Sequence, residues 1–163
     1  MGSRSNTNKA VEFAYIAGFL DGDGSIMLQI KQRSDTKKGY RLMATICFYQ
    51  DSRHDLPLAE IRKILGIGYL SKRNDGMTEL RINGYNQCQA ILTKLLPYLR
   101  FKQAQATSLS QALKILTKTK LAKLSTGERK KLLACIVKIQ NHNYQSSHKR
   151  SQAQLEKIFG LTP

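Results

Sequence analysis

The decapeptide Tyr15-Ile16-Ala17-Gly18-Phe19-Leu20-Asp21-Gly22-Asp23-Gly24 restricts the fold more than any other stretch of the 163-residue chain. It sets two carboxylates and three glycines at the end of an apolar helix. Ala14, Ala17 and Gly18 share one face of that helix at i, i+3 and i+4, so a second backbone can approach closely. The spacing predicts a helix–helix interface at Ala14, Ala17, Gly18 and Asp21. Gly22 and Gly24 are expected to turn the chain sharply and carry the Asp23 carboxylate beyond the helix end, where a cation can meet it. A calcium hand is excluded, because the position that needs glycine is Ile26 and the bidentate twelfth position is Gln32.

The next segment has the pattern of a strand. From Ser25 to Lys31 the residues Ile26, Leu28 and Ile30 point one way, and Ser25, Met27, Gln29 and Lys31 the other. Tyr40 to Gln50 returns as a second strand with Leu42, Ala44, Ile46 and Phe48 inward. The linker from Gln32 to Gly39, with Arg33, Lys37 and Lys38, becomes a basic hairpin tip. Asp55 is placed to cap a short helix bearing Leu56, Leu58, Ile61 and Leu65, which stops at Gly66. A second hairpin joins Tyr69–Arg73 to Thr78–Ile82 through Asn74-Asp75-Gly76. Helices are expected from Asn8 (as cap) to Leu20, over 86–99 with a break at Pro97, and over Gln103–Thr119, Ser125–Ile139 and Ser151–Phe159. Asn141–Arg150 reads as a polar connector. The order is α-β-β-α-β-β-α, an α+β fold in one domain over 1–163, with a core at about 8–120 and a helical extension at about 121–163.

Helices on one side only would leave the other sheet face open. Its outward residues are Ser25, Met27, Gln29, Lys31 and Arg33, then Arg41, Met43, Thr45 and Cys47, then Ser71, Arg73, Glu79 and Arg81. Arg and Lys suit guanine edges, Gln suits adenine and Glu accepts from cytosine, so the face has the chemistry to read a major groove. Charge points the same way. Lys and Arg number 27 against 11 Asp and Glu, for a formal net charge of +16, which attracts a polyanion. A strand from Ser25 to Arg33 spans about 30 Å, near nine base pairs, so two arms cover on the order of 20. No apolar run reaches membrane-spanning length, and the N-terminus has no apolar signal core, so a soluble, intracellular protein is expected. Cys47, Cys88 and Cys135 are widely spaced and read as reduced thiols; His54, His142 and His148 lack ligand spacing for zinc.

Residues 17–24 resemble the closing positions of the LAGLIDADG homing endonuclease signature. The resemblance extends through Ser25-Ile26, Gly66-Ile67-Gly68-Tyr69 and Pro97-Tyr98-Leu99-Arg100-Phe101-Lys102-Gln103, covering about residues 10–106. The chain beyond is similar only in helical character. One copy of the motif is present, which resembles the single-motif, homodimeric branch.

The resemblance implies metal-dependent double-strand cleavage of a pseudo-palindromic DNA site, leaving short 3′ overhangs and promoting intron mobility. It implies Asp23 as the metal-binding carboxylate with the Gly22 carbonyl as second ligand. Gln50 would stand near the attacking water, and Lys102 would be the active-site lysine. Mg²⁺ is the implied cofactor, Mn²⁺ a substitute, and Ca²⁺ an ion that supports binding without cleavage. The segment Gln50-Asp51-Ser52-Arg53-His54 departs from the family pattern, with Arg53 or His54 as a further basic group. An organellar setting is also implied. Other functions open to such a chain are an intron-RNA maturase, a DNA-binding regulator without catalysis, and a basic ribosome-associated protein.

Overall fold

The computed structural model describes residues 3–35, 39–143 and 149–161. Lys37, Lys38, His148 and the middle of the 141–150 connector therefore lie outside the described residues. Helix α1 (Ser3–Asp23) runs directly into strand β1 (Gly24–Gln32), which is followed by β2 (Tyr40–Asp51), α2 (Leu56–Leu65), β3 (Tyr69–Lys72), β4 (Met77–Asn83) and α3 (Tyr85–Leu95). The expected αββαββα order is observed. Three further helices, α4 (Gln103–Leu116), α5 (Thr126–His142) and α6 (Gln152–Phe159), complete the chain.

All four strands are antiparallel, in the order β1-β2-β4-β3. Period-2 alternation becomes one apolar face through register: Ile26 opposes Ile46, which opposes Ile82, while Leu28 opposes Ala44 and Phe48 opposes Leu80. Helix α1 lays Ile16, Ala17 and Leu20 on this face, and all three are fully buried. At about 1.5–3 kcal/mol for each large side chain removed from water, these rows hold the helical layer to the sheet. The same cluster takes in Leu124, Leu132, Leu133, Ile136, Ile139, Leu155 and Phe159, so residues after 120 are built into the core.

The C-terminal region also closes an edge. Asn143 donates from Nδ2 to the Ile26 carbonyl at 3.0 Å, and Arg150 from Nη1 to the Ile30 carbonyl at 3.1 Å. Both carbonyls belong to β1, an outer strand whose unpaired groups would otherwise invite another chain.

Several boundaries differ from expectation. Helix α1 begins before Asn8 and ends at Asp23, so Asn8 is an interior residue; no proline or left-handed glycine interrupts the polar turns preceding it. Asp55 occupies the N-cap of α2 without capping it, because its carboxylate instead accepts the Thr78 hydroxyl at 2.7 Å. The break expected at Pro97 is present: α3 stops at Leu95 and the chain continues as a short 3-10 turn, Leu96–Tyr98. Ser125 and Ser151 lie one residue outside their helices as caps, each in a reciprocal capping box.

Candidate active site and nucleic-acid face

The junction of α1 and β1 has no loop. Gly24 makes this possible: a Cβ there would lie 2.4 Å from Leu20 Cδ1, 2.8 Å from the Leu20 carbonyl oxygen and 2.9 Å from the Cys47 carbonyl oxygen. The change of direction is made without left-handed glycines, since neither Gly22 nor Gly24 has a positive φ. Asp23 is thus the last helical residue rather than a residue beyond the end. Its side chain is exposed, and among the described residues none hydrogen-bonds its carboxylate.

Asp21 behaves oppositely. Half-buried, it turns its carboxylate to its own chain, where Oδ2 accepts the Arg100 N–H at 2.7 Å and Oδ1 the Lys102 N–H at 2.8 Å. The carboxylate expected at a helix–helix interface is thus engaged within its own chain. The Lys102 ammonium donates to the Asp21 carbonyl, one of the last four of α1, which lack helical partners. Burial pushes the Lys102 pKa below the ordinary lysine value, against the opposing pull of the Asp21 and Asp23 charges. Lys102 and the two motif carboxylates therefore share one locus.

Gln50 lies at the same end of the sheet. Phe48 pairs with Gly24, and Gln50 stands two residues further along β2, opposite Thr78. Its Oε1 accepts the Asp51 N–H at 2.8 Å. Arg53 points its guanidinium at Asp51, with Nε at 3.0 Å and Nη2 at 2.7 Å, and this clamp holds the Asp51 carboxyl far below the usual range. Arg53 is thereby engaged, although it is itself exposed, and His54 beside it is exposed as well.

Among the described residues no three His, Cys, Asp or Glu side chains converge. The donors at the helix end are hard oxygens, an unengaged Asp23 carboxylate and the terminal carbonyls of α1. That chemistry fits Mg²⁺ or Ca²⁺, with further oxygens needed from outside the chain.

The register places the sequence-predicted face as expected. Ser25, Cys47 and Arg81 form one cross-strand row, Gln29 opposes Met43, Lys31 opposes Arg41, and Ser71 opposes Glu79. Lys31, Arg41 and Arg73 are exposed; Ser25, Met27, Gln29, Met43, Ser71 and Arg81 are half-buried. Arg33 lies just past β1 and is ion-paired with Asp35.

Three members are not accessible. Thr45 is 0% exposed because it is a short side chain on a central strand, with its hydroxyl donating to Asn83 Oδ1 at 2.8 Å. Glu79 is 6% exposed, its carboxylate held by Arg81 from Nε and Nη2, each at 3.0 Å. Neither can offer a base its hydrogen-bonding group. Cys47 is buried as well.

Tyr49 joins this face beyond the expected set, and continuing the alternation past Cys47 would have reached it. Its hydroxyl meets Ser25 Oγ at 3.0 Å, Arg73 lies over its ring at 5.9 Å, and burial pushes its phenol up to about 12.

On α1, Ala14 and Gly18 are exposed as expected, but Ala17 is 0% exposed and packs into its own core. The open stripe is instead Val11, Ala14, Tyr15, Gly18 and Gly22; Val11 and Tyr15 are each 62% exposed, and a Cβ on either glycine would meet nothing within 4 Å.

A four-stranded antiparallel sheet, bare and basic on one face, with an acidic helix end and a lysine at its margin, defines a nucleic-acid-cleaving class. The chain belongs to the LAGLIDADG endonuclease family, whose model matches residues 16–115. It is 41% identical over 116 residues to DNA endonuclease I-CvuI of Chlorella vulgaris, covering 71% of this chain and 72% of that one. It is 34% identical over 102 residues to DNA endonuclease I-CreI of Chlamydomonas reinhardtii, covering 62% of each. The crystal structure of homing endonuclease I-CvuI with its target and calcium superposes with a TM-score of 0.80 at 30% identity, over 95% of this chain and 96% of that one. The archaeal intron-encoded I-Vdi141I, complexed with DNA, shares the fold at a TM-score of 0.78 and 18% identity, over 93% and 96% of the two chains. I-CvuI has also been crystallised with magnesium on the I-CreI target, the DNA uncleaved.

Proposed function

We propose that this protein is a sequence-specific homing endonuclease that makes double-strand breaks in a long, pseudo-palindromic DNA site as a homodimer. The observation that carries the reading is the shared locus of Asp23 and Lys102, with Gln50 at the same end of an open sheet face, in a chain of net charge +16. Membership in the LAGLIDADG family and I-CvuI bound to its target support it.

Electrostatic attraction brings the duplex to the sheet, and phosphate contacts from Lys and Arg set its register. Gln29, Lys31, Arg41, Arg73 and Arg81 offer hydrogen bonds to base edges, with Met27, Met43 and Ser71 filling between them. Two copies pack through Val11, Ala14, Tyr15, Gly18 and Gly22, where the glycines leave room for a facing backbone. This pairing brings two Asp23 carboxylates together, one for each strand to be cut.

A divalent ion held by Asp23 and the Gly22 carbonyl would polarise the scissile phosphate and activate water. Mg²⁺ fills this role, Mn²⁺ substitutes, and Ca²⁺ supports binding without cleavage. Lys102, held beside the carboxylates, offsets negative charge developing on the phosphate, while Gln50 orients the attacking water. Among the described residues no helix is long and apolar enough to cross a membrane. A homing activity requires the protein to reach its target genome, an organellar one by the family resemblance.

The test selects bound sequences from a randomised palindromic duplex library in Ca²⁺, then switches to Mg²⁺, for wild type and Asp23→Asn. Enrichment followed by cutting in wild type alone is expected. Enrichment with no cutting by wild type would replace this reading with a binding protein on the same fold.

A further inference from the structure

We propose that Asp21 is the positioning residue that sets Lys102 against Asp23, so that the two motif carboxylates divide their work: one faces the substrate and the other holds the lysine. The inference rests on the nuclease reading and extends it to a residue that touches neither DNA nor metal.

The last turn of a helix is an unfavourable place for a carboxylate, because the macrodipole there is negative. Helix stability therefore gives no reason for Asp21. Its surroundings do. Both carboxylate oxygens accept backbone N–H groups from residues 79 and 81 positions away, Arg100 at 2.7 Å and Lys102 at 2.8 Å. The side chain between them, Phe101, is 85% exposed, so apolar packing of this residue within the chain contributes little to holding the segment. The two amides are pinned instead by one anion, in the manner of a backbone nest.

The contact is reciprocal. The Lys102 ammonium returns to the carbonyl of Asp21 itself, making three hydrogen bonds between one residue of α1 and the 100–102 segment. Helix α4 starts at Gln103, and Lys102, its N-cap residue, has no capping side-chain bond; α4 holds the Lys102 carbonyl through the Ala106 N–H at 2.9 Å, while the Lys102 N–H is held by Asp21. An asparagine of the same shape can accept through one oxygen only. Asp21→Asn therefore keeps the packing and loses one of the two amide contacts.

The test uses the full chain as wild type, Asp21→Asn, Asp21→Ala, Lys102→Ala and Asp21→Asn/Lys102→Ala. Amide exchange at Arg100 and Lys102 is read in the free protein; single-turnover cleavage and equilibrium binding in Ca²⁺ are read on the selected duplex. Faster exchange at those two amides is expected on Asp21 replacement. Cleavage by Asp21→Asn should slow by about 10²-fold, the scale of a 1 Å misplacement of a reacting group. Affinity should hold within about threefold, and in the Lys102→Ala background the same change should cost less than about threefold. Equal slowing in both backgrounds overturns the proposal, as does unaltered exchange. If Asp21→Ala fails to fold, Asp21→Asn decides alone. A wild type that cuts nothing overturns the nuclease reading and the positioning role together, whereas a cutting wild type with an additive cycle overturns this proposal only.

Discussion

Replacing Gly24 with alanine should destabilise the protein sharply while leaving its neighbour Gly22 tolerant of the same change. The added methyl at position 24 would sit 2.8 Å from the Leu20 carbonyl oxygen on α1 and 2.9 Å from the Cys47 carbonyl oxygen on β2. Leu20 Cδ1 can rotate away, but the two oxygens belong to backbones on opposite sides, so withdrawal from one drives the methyl into the other. Overpacking of this kind costs about 1–3 kcal/mol, and a two-sided backbone clash belongs at the upper end, about 3 kcal/mol. With a urea slope of about 2 kcal/mol/M, the midpoint should fall by about 1.5 M. The equivalent loss in melting temperature is about 6–12 °C. Position 22 is helical, and a methyl there would meet nothing within 4 Å. Gly22→Ala should stabilise the isolated chain by up to about 1 kcal/mol through helix propensity. Urea unfolding followed by circular dichroism, at one fixed and low protomer concentration, measures both. A Gly24→Ala midpoint within about 0.3 M of wild type would refute the close-approach argument.

Other consequences are smaller but as direct. Gly18→Ala and Gly22→Ala should weaken self-association by about tenfold or more if the helices meet face to face; concentration-dependent light scattering measures this, and unchanged association would remove these glycines from the interface. Ser125→Ala removes the capping box of α5 and should cost about 1 kcal/mol in a thermal melt; a change under about 0.3 kcal/mol would contradict that role. Burial pushes the Cys88 thiol from 9.0 up to about 12. The folded value lies above the unfolded one, so this group's contribution to stability is present below pH 9 and is lost as pH rises from there toward 12. Cys47, Cys88 and Cys135 are all buried, and native protein should resist thiol-specific reagents; rapid stoichiometric labelling would show that the core opens. Lys102→Ala should slow single-turnover cleavage by about 10²-fold or more while binding in Ca²⁺ holds, and a parallel loss of both would reduce Lys102 to a binding contact.

Local patterns already carried much of this molecule. Alternation from Ser25 to Gln50 determined two strands and which face of each is apolar, because side chains on a pleated strand have a strict period of two. The small, acidic helix end placed Asp23, and composition supplied the positive field. Tertiary structure decided what the same residues touch. Thr45 and Glu79 have the correct polarity for reading bases, yet both are buried and hydrogen-bonded within the sheet, Thr45 to Asn83 and Glu79 to Arg81, and burial is a property of the assembled sheet. Ala17 shares a helix face with Ala14 and Gly18 by spacing, but the angle at which α1 settles on the sheet turns it inward. Asp21 and Asp23 are two residues apart and chemically alike. Only the arrival of residues 100–102, about 80 positions away, engages the carboxylate of one and leaves that of the other without a hydrogen-bond partner among the described residues. Short-range periodicity is written in the chain, whereas contacts across such a separation exist only once the core has formed.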